Sequence, residues 1–347
     1  MILVFALAAG LWGLGAAMGA PIRQRWAMIA ALWLAVVAIN LVLPVGSGVR
    51  QMTGGDARVW LVLGGVFGLI AGYRVLLKKL KKPAAIADLQ TEQAAFRAAE
   101  LDRYARHIML REIGGPGQKR LKAARVLVIG AGGLGSPALL YLAAAGVGTL
   151  GVIDDDVVDT SNLQRQIIHT DQRIDMPKVQ SAAIAIKALN PFITVRPYNR
   201  RLTPDMAAEL IADYDLVLDG SDNFDTRYLV NRVCVQTGKP LISGAITQWE
   251  GQLSLFDPAN GTPCYACIFP TRPAPGLVPT CAEAGVVAPL PGVIGAMMAT
   301  EAVKHITGAG QTLAGRLMIH DALFGETRVI ATKADPNCLV CGQKHLN

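Results

Sequence analysis

The sequence predicts an α/β protein with a doubly wound, mixed β-sheet, preceded by transmembrane helices at the N-terminus. Three apolar stretches of roughly 20 residues open the chain, and each matches the thickness of a bilayer core. A strand–glycine turn–helix–strand pattern follows at 124–156, and further buried strands alternate with helical segments up to 246. The 347 residues are 52% hydrophobic and 17% charged, which excludes a disordered chain and indicates a membrane part.

Charge is distributed unevenly between the two parts of the chain. Residues 1–82 hold nine Lys or Arg and one Asp, whereas the other 265 residues hold 24 basic and 25 acidic groups. The net charge of +7 therefore belongs to the N-terminal part. Because the rest is nearly neutral, the overall charge does not indicate a nucleic-acid partner, and we expect none.

The apolar stretches at 1–20, 26–45 and 59–77 predict three membrane spans in an anchor of residues 1–82. Small residues around Gly19 and Ala20 leave a signal peptide as an alternative for the first stretch. Its high glycine content leaves an interfacial helix as another.

Basic residues predict the orientation of these spans. Arg23 and Arg25 separate the first two, and Arg74 with the segment KKLKK (78–82) follows the third. The positive-inside rule places both clusters in the cytoplasm, which requires an odd number of spans. We therefore expect a multi-pass protein of the inner (cell) membrane with residues 78–347 in the cytoplasm. A connector helix over 83–101 would join the anchor to a domain at 102–347.

The first strand of that domain, ARVLVIG (124–130), is a continuous apolar run, as in a parallel strand buried on both faces. A helix at 137–147 and a second strand at 149–156 follow. Gly130, Gly132 and Gly135 fit G-x-G-x-x-G, and Asp154 ends the second strand. Glycines permit close approach to phosphate, a helix N-terminus favours anions, and the acid can accept ribose hydroxyls. The unit predicts a Rossmann-like nucleotide fold over about 124–246.

Further strands at 215–223 and 239–246 end in acidic or small residues, as at the carboxyl ends of parallel strands. From Thr247 the sequence QWEGQLSLF reads as an antiparallel strand, so the sheet is predicted to be mixed. The remaining part, about 247–347, would then flank the nucleotide fold.

Polar residues after these strands indicate which nucleotide is bound. The set comprises Asn162, Arg165, Lys178, Asp219, Asp222 and Arg227. Two or three cations with a carboxylate favour a polyphosphate held with Mg²⁺. The glycine motif alone leaves a dinucleotide-dependent, NAD(P)-type oxidoreductase as a remote alternative.

Four cysteines form two C-x-x-C pairs about 70 residues apart: Cys264, Cys267, Cys338 and Cys341. In a cytosolic domain this spacing favours tetrahedral Zn²⁺ over disulfides. Four thiolates leave no position for water, so the zinc is expected to be structural. It would attach the C-terminal tail to the segment after the antiparallel strand.

Two other cysteines and two histidines have less specific surroundings. Cys281, in PTCAEAGV, is either a thiolate nucleophile or a small buried residue before a helix. Cys234 lies in a helical pattern and is expected in the core. His107 and His169 are expected to make polar contacts, since neither has a pattern typical of a general base.

Residues 102 to the end resemble the MoeB/ThiF/HesA family, bacterial relatives of ubiquitin-activating enzymes, and are most similar to the MoeB type. The motifs that carry this resemblance are RYARHIML (103–110), VLVIGAGGLGSPALLYLAAAGVGTLGVIDDD (126–156), SNLQRQIIH (161–169), LNP (189–191), LVLDGSDNFDTRYLVN (216–231), WEGQLS (249–254), CYAC (264–267), PTCAEAGV (279–286) and CLVCG (338–342).

The resemblance implies ATP- and Mg²⁺-dependent adenylation of the C-terminal glycine of a ubiquitin-like sulfur carrier, in molybdenum cofactor biosynthesis. By the same resemblance, Gly133 contacts phosphate, Asp154 contacts ribose with Asp156 beside it, and Asp222 holds Mg²⁺. Asn162, Arg165 and Lys178 would bind phosphates. Arg106 resembles an arginine that reaches the partner subunit's site, which implies a homodimer.

Other members of the family act on the thiamine sulfur carrier or on other substrates, and these remain alternatives. Some members use a cysteine that matches Cys281 for a covalent second step. The chain ends soon after the second C-x-x-C pair and has no rhodanese domain there, so the resemblance implies a separate sulfur donor. The apolar N-terminal segment is the main departure from the family.

Overall fold

The computed structural model describes residues 1–44, 46–86, 96–273 and 284–342. It divides into two compact units, Met1–Glu92 and Gln93–Asn347. Each unit has its own hydrophobic core.

The N-terminal unit is helical. Its helices are α1 (Ile2–Ala17), α2 (Ile22–Val42), α3 (Gly48–Met52) and α4 (Ala57–Ile86). Val4, Val36 and Trp60 are buried in its small core. The Met1 amino group donates to the Met52 carbonyl oxygen at 3.0 Å, so the N-terminus lies at the same end as the α2–α4 connection.

These helices match the expected spans only in part. Within the described residues, one helical segment, Gln24–Val42, is long and apolar enough to cross a membrane. Helix α1 has 16 residues and is about 24 Å long, which is shorter than a hydrocarbon core of about 30 Å. The third expected span lies within α4, which continues beyond it to Ile86. Residues 87–95 of the expected connector lie outside the described residues.

The second unit contains an eight-stranded sheet in the order β3-β2-β1-β4-β5-β6-β7-β8. Strands β1 to β5 are parallel and β6 to β8 are antiparallel, which confirms the prediction of a mixed sheet. The strands are β1 (Arg125–Ile129), β2 (Thr149–Ile153), β3 (Thr194–Tyr198), β4 (Leu216–Asp219), β5 (Leu241–Ile246), β6 (Glu250–Phe256), β7 (Arg316–Asp321) and β8 (Glu326–Ala331).

Helices cover both faces of the sheet at β1 and β4, which explains why β1 is apolar from Val126 and β4 is apolar up to Leu218. The α-helices are α5 (Ala98–Ile108), α6 (Gly114–Ala123), α7 (Gly135–Ala145), α8 (Lys178–Leu189), α9 (Pro204–Ala212), α10 (Phe224–Thr237), α11 (Tyr265–Ile268) and α12 (Pro289–Thr307). Short 3-10 helices are Thr160–Asn162, Asp171–Arg173 and Pro258–Asn260. Helices α7, α8 and α12 pack on one face, and α9 and α10 on the other.

Some element boundaries differ from the expected ones. Strand β2 ends at Ile153 rather than 156, because the Asp154 side chain accepts the Asp156 N–H in a turn that follows the strand. Helix α7 begins at Gly135, two residues before Pro137, and ends at Ala145, where Gly146 caps it with a φ of 88° that favours glycine. Helix α5 begins at Ala98, before the expected domain start at 102.

Candidate functional site

A cleft of about 690 Å³ lies at the carboxyl ends of the parallel strands. This is the position that a doubly wound sheet predicts for a ligand. Among the expected site residues, the cleft brings together Gly130, Gly132, Gly133, Asp154, Asp156, Arg165, Lys178 and Asp222.

The glycine-rich turn after β1 forms the floor of the cleft. Gly130 has a φ of +89°, which lets the chain reverse out of the strand. Within the described residues, the N–H groups of Gly132 and Gly133 donate to no other group and are free for a ligand. Gly135 does not line the cleft, contrary to its expected ligand role. A Cβ there would lie 1.9 Å from the Gly130 carbonyl oxygen, so this glycine permits helix–strand packing instead.

The acidic residues after β2 form hydrogen bonds with the glycine-rich turn and with a lysine. The Asp154 carboxylate accepts the Ala131 N–H at 2.8 Å and the Asp156 N–H at 2.9 Å. Burial raises the pKa of Asp154, and these two N–H donors partly offset that rise. Lys178, at the start of α8 as predicted, is 5% exposed and donates to the Asp156 carboxylate at 2.7 Å. Its ammonium therefore faces the cleft with a solvent-exposed counter-ion.

The segment 161–169 lies over the glycine turn. The Arg165 guanidinium donates to the Asn162 side-chain oxygen at 2.8 Å and to the Ser161 carbonyl oxygen at 3.2 Å. Asn162 is not among the residues that line the cleft, and its side-chain oxygen orients Arg165; its contact with phosphate stays a prediction. The expectation that His169 makes polar contacts is correct: it is buried and bonded to the Ala131 carbonyl oxygen and to Ser181.

The DGSDN turn after β4 presents Asp222 to the cleft. Asp222 is exposed, and the described residues give its carboxylate no hydrogen-bond partner. Asp219 stabilises the turn, because its carboxylate accepts the Ser221 N–H at 3.0 Å and the Ser221 hydroxyl at 2.6 Å. Asn223 caps α10 by accepting the Thr226 N–H at 2.8 Å.

A buried arginine supports this turn. Arg227 is 6% exposed and donates to the Ser221 and Gly244 carbonyl oxygens at 2.6 and 2.9 Å. Its guanidinium also lies 3.7 Å from the Asp219 carboxylate, which is itself buried. Arg227 therefore positions the turn that carries Asp222. Sequence reasoning grouped Arg227 with the phosphate-binding cations and did not find this supporting role.

Three further arginines line the cleft and were not expected there: Arg200, Arg201 and Arg272, the last paired with the Asp225 carboxylate. Arg200 and Arg201 follow β3 and are exposed. The sequence could have indicated Arg200 and Arg201 only by their position after a strand of the same sheet. That strand, β3, is half-exposed and lacks the apolar run that identified the other strands.

The four paired cysteines converge in one cluster, as predicted, and the cluster packs against Val235 of α10. The Sγ–Sγ distances are 3.7 Å for Cys264–Cys338, 3.9 Å for Cys264–Cys267 and 3.3 Å for Cys267–Cys341. Tetrahedral Zn²⁺ with Zn–S bonds of about 2.3 Å requires sulfurs about 3.8 Å apart, so the cluster fits the ion. Burial raises the pKa of Cys264 to about 11, and a bound dication would provide the charge that stabilises its thiolate.

An amide supports the cysteine cluster. The Asn231 amide N–H donates to Cys264 Sγ at 3.6 Å, and its oxygen accepts the Tyr265 N–H at 2.9 Å. Such contacts orient a ligating thiolate. The cluster attaches the C-terminal segment to the start of α11, as predicted.

Other expected site residues lie outside the cleft. Arg106 is exposed on α5 and contacts the Met109 sulfur at 3.8 Å. Cys281 lies outside the described residues. Cys234 is 2% exposed in the core, as expected, and burial raises its pKa. The buried Nδ1 of His107 has no hydrogen-bond partner among the described residues, contrary to the expectation of a polar contact.

Comparison with known proteins agrees with this architecture. The ThiF family model matches residues 104–340. The chain is 50% identical over 249 residues to the sulfur carrier protein adenylyltransferase of Thermus thermophilus, across 71% of this chain and 92% of that protein. It is 49% identical over 246 residues to the SAMP-activating enzyme E1 of Haloferax volcanii, across 71% and 90%.

The fold is also similar to solved structures. E. coli MccB with AMPCPP and MccA has a TM-score of 0.62 to this chain, over 70% of this chain and 74% of that one. Because the identity is 22%, this likeness concerns the fold alone.

Proposed function

This chain belongs to the ThiF family, and on that premise we propose that it adenylates the C-terminal glycine of a ubiquitin-like sulfur carrier with ATP. The observation that carries the proposal is the cleft. It combines N–H groups of the glycine turn that have no acceptor among the described residues, the cations Arg165 and Lys178, and the exposed carboxylate of Asp222. The name of the Thermus thermophilus relative supports the same reaction.

The proposed reaction transfers AMP to the carrier. A glycine carboxylate oxygen attacks the α-phosphorus, an O–P bond forms, and the bond from that phosphorus to the bridging oxygen of pyrophosphate breaks. Arg165 and Lys178 would stabilise the charge that develops on the phosphate oxygens, with Lys178 leaving Asp156 for the nucleotide. Since the carboxylate is already a nucleophile, no general base is needed, and catalysis rests on positioning and electrostatics.

Nucleotide and Mg²⁺ would be held by residues that line the cleft. The free N–H groups of Gly132 and Gly133 can donate to phosphate oxygens. The Asp154 oxygens each accept one backbone N–H, which leaves lone pairs for a ribose hydroxyl. Asp222 carries an exposed carboxylate, a ligand type that Mg²⁺ prefers.

We assign the molybdenum cofactor carrier as substrate, with the thiamine carrier as the alternative. Purified carriers of both kinds, offered separately, should differ in ATP–pyrophosphate exchange, with the molybdenum-type carrier supporting the higher kcat/KM. A higher value with the thiamine carrier would transfer the assignment to that pathway. Sulfur would then reach the acyl adenylate from a separate donor.

A homodimer with Arg106 in the partner's site is proposed from the resemblance and from the exposure of Arg106 outside its own cleft. Mixing Arg106→Ala and Asp222→Ala subunits tests this. Randomly assorted dimers should recover about a quarter of wild-type activity, because half of them contain one intact site. No recovery in mixed dimers would reject a shared site.

We also propose that the N-terminal unit anchors the protein in the inner membrane. Support comes from the apolar segment Gln24–Val42 and from aromatic contacts at both ends of the unit. Trp12 and Trp26 rings lie 5.0 Å apart near the α1–α2 turn, and Phe5 and Trp60 rings 5.8 Å apart near the other end. Aromatic residues are typical of the two membrane interfaces.

Extraction of cell membranes at alkaline pH tests the anchor. The full chain should remain in the membrane pellet, and a C-terminal tag should be protected from protease added outside the cytoplasm. Release of the full chain into the supernatant would contradict the anchor, and outside cleavage of the tag would contradict the orientation.

A further inference from the structure

The peptide between Ala131 and Gly132 is held on one side by a buried histidine that the adenylation mechanism does not use. His169 is 5% exposed, and its Nε2 lies 2.9 Å from the Ala131 carbonyl oxygen. The Ala131 N–H donates to Asp154, so this residue of the glycine turn is fixed through both of its backbone polar groups.

A chain of hydrogen bonds determines which nitrogen of His169 carries the proton. A carbonyl oxygen can only accept, so His169 Nε2 carries the proton and donates to the Ala131 oxygen at 2.9 Å. Nδ1 of the neutral imidazole is then an acceptor, and the Ser181 hydroxyl, 2.9 Å away, donates to it. Arg173 Nη1, 3.4 Å from Ser181 Oγ, donates to a lone pair of the same oxygen.

The neutral form of this imidazole is also the one that its surroundings favour. Burial lowers the pKa of His169, and the nearby cations Lys178 and Arg173 lower it further. Donation to the Ala131 carbonyl acts in the opposite direction.

The contact has a geometric consequence for the cleft. In a trans peptide, the carbonyl of one residue and the N–H of the next point in opposite directions. Because the Ala131 carbonyl points to the buried His169, the Gly132 N–H points away from it, and Gly132 lines the cleft. Ser136 Oγ also approaches the same carbonyl, but at the longer distance of 3.4 Å.

We propose that His169 is a positioning residue that aims the Gly132 N–H at a phosphate of the bound nucleotide. The inference rests on the proposed function only in taking ATP as the ligand. It assigns the Arg173–Ser181–His169 chain a role in phosphate binding that acts through the backbone rather than by contact with substrate.

Two amide variants separate this role from simple core packing. In His169→Gln the side-chain nitrogen occupies the place of Nε2 and keeps the donor to Ala131. In His169→Asn the amide reaches only the place of Nδ1, so the contact with Ser181 remains and the donor to Ala131 is lost. We expect His169→Asn to raise the Kd for ATP roughly tenfold, as for loss of one hydrogen bond, and His169→Gln to stay within about threefold.

Adenosine serves as the ligand control, because it lacks phosphate. Its Kd should change less than about twofold in both variants, and the KM for ATP in pyrophosphate exchange should rise in His169→Asn with kcat nearly unchanged. His305→Gln is the matched protein control, since burial also lowers the pKa of His305 but this residue lies outside the cleft. That variant should leave both Kd values unchanged.

The measurement is ATP and adenosine binding to the full-length protein without carrier, by calorimetry. Equal weakening of ATP binding in the Asn and Gln variants, or equal weakening of ATP and adenosine in the Asn variant, would overturn the proposal. If the wild-type protein binds ATP but adenylates no carrier, the proposed function fails while the ratio of Kd values still decides the role of His169. A wild-type protein that binds no ATP would overturn both.

Discussion

Two aspartates three residues apart, Asp219 and Asp222, should differ in how the same substitution affects stability. Asp222 is exposed in the cleft without a partner among the described residues, so Asp222→Asn should change the free energy of unfolding by less than about 0.5 kcal/mol. If Asp222 holds Mg²⁺ against the phosphates, the same change should slow adenylation by roughly 100-fold or more.

Asp219 is 1% exposed, and its carboxylate lies 3.7 Å from the buried guanidinium of Arg227. Asp219→Asn would leave that cation buried without a counter-ion, which costs about 3–5 kcal/mol. In a domain of this size the loss corresponds to a fall in Tm of roughly 10 °C. Activity should also fall, because the turn that carries Asp222 loses its support.

The assay compares thermal unfolding of the full-length protein with ATP–pyrophosphate exchange for both variants. The expected pattern is an unchanged Tm with lost exchange for Asp222→Asn, and a clearly lowered Tm for Asp219→Asn. Wild-type exchange in Asp222→Asn would refute its assignment as a metal ligand, and an unchanged Tm in Asp219→Asn would refute the structural role of the buried pair.

Three further predictions concern packing, metal and pH. Gly135→Ala should lower Tm, because the added Cβ would lie 1.9 Å from the Gly130 carbonyl oxygen. Gly292→Ala in α12 is the control: no atom lies within 4 Å of the added Cβ, so Tm should be unchanged or slightly raised. Cys338→Ser should lower the zinc content, measured by mass spectrometry, below the wild-type value of about one ion per chain. An unchanged zinc content would show that the Cys338 thiolate is not a ligand. As pH falls through about 6.5, His169 becomes protonated in the unfolded chain but stays neutral in the folded protein, where burial lowers its pKa. The free energy of unfolding should therefore decrease. His169→Asn should reduce this pH dependence in denaturant unfolding, and an unaltered slope would contradict the lowered pKa.

Local patterns in the sequence predicted the elements whose structure depends on local chemistry. Continuous apolar runs identified β1 and β4, because a strand covered on both faces has no polar side. The cysteine cluster joins two pairs 74 residues apart, and it was predictable because each C-x-x-C pair supplies half of a tetrahedral ligand set.

The contacts that sequence reasoning missed join residues far apart in the chain. His169 reaches the Ala131 carbonyl across 38 residues, and Arg227 reaches Gly244 across 17, so neither partner can be read from neighbouring residues. Gly135 shows a different cause of error. Its place in G-x-G-x-x-G indicated ligand contact, but the close approach of α7 to the β1 turn gives it a packing role.

Carrier-dependent ATP–pyrophosphate exchange by the full-length protein tests the central claim most directly. Exchange should require Mg²⁺ and a sulfur carrier that ends in Gly-Gly, and it should disappear when the terminal carboxylate of that carrier is amidated, because no nucleophile then reaches the α-phosphorus. Exchange that persists with the amidated carrier, or none with any native carrier, would contradict the claim that this cleft adenylates a carrier carboxylate.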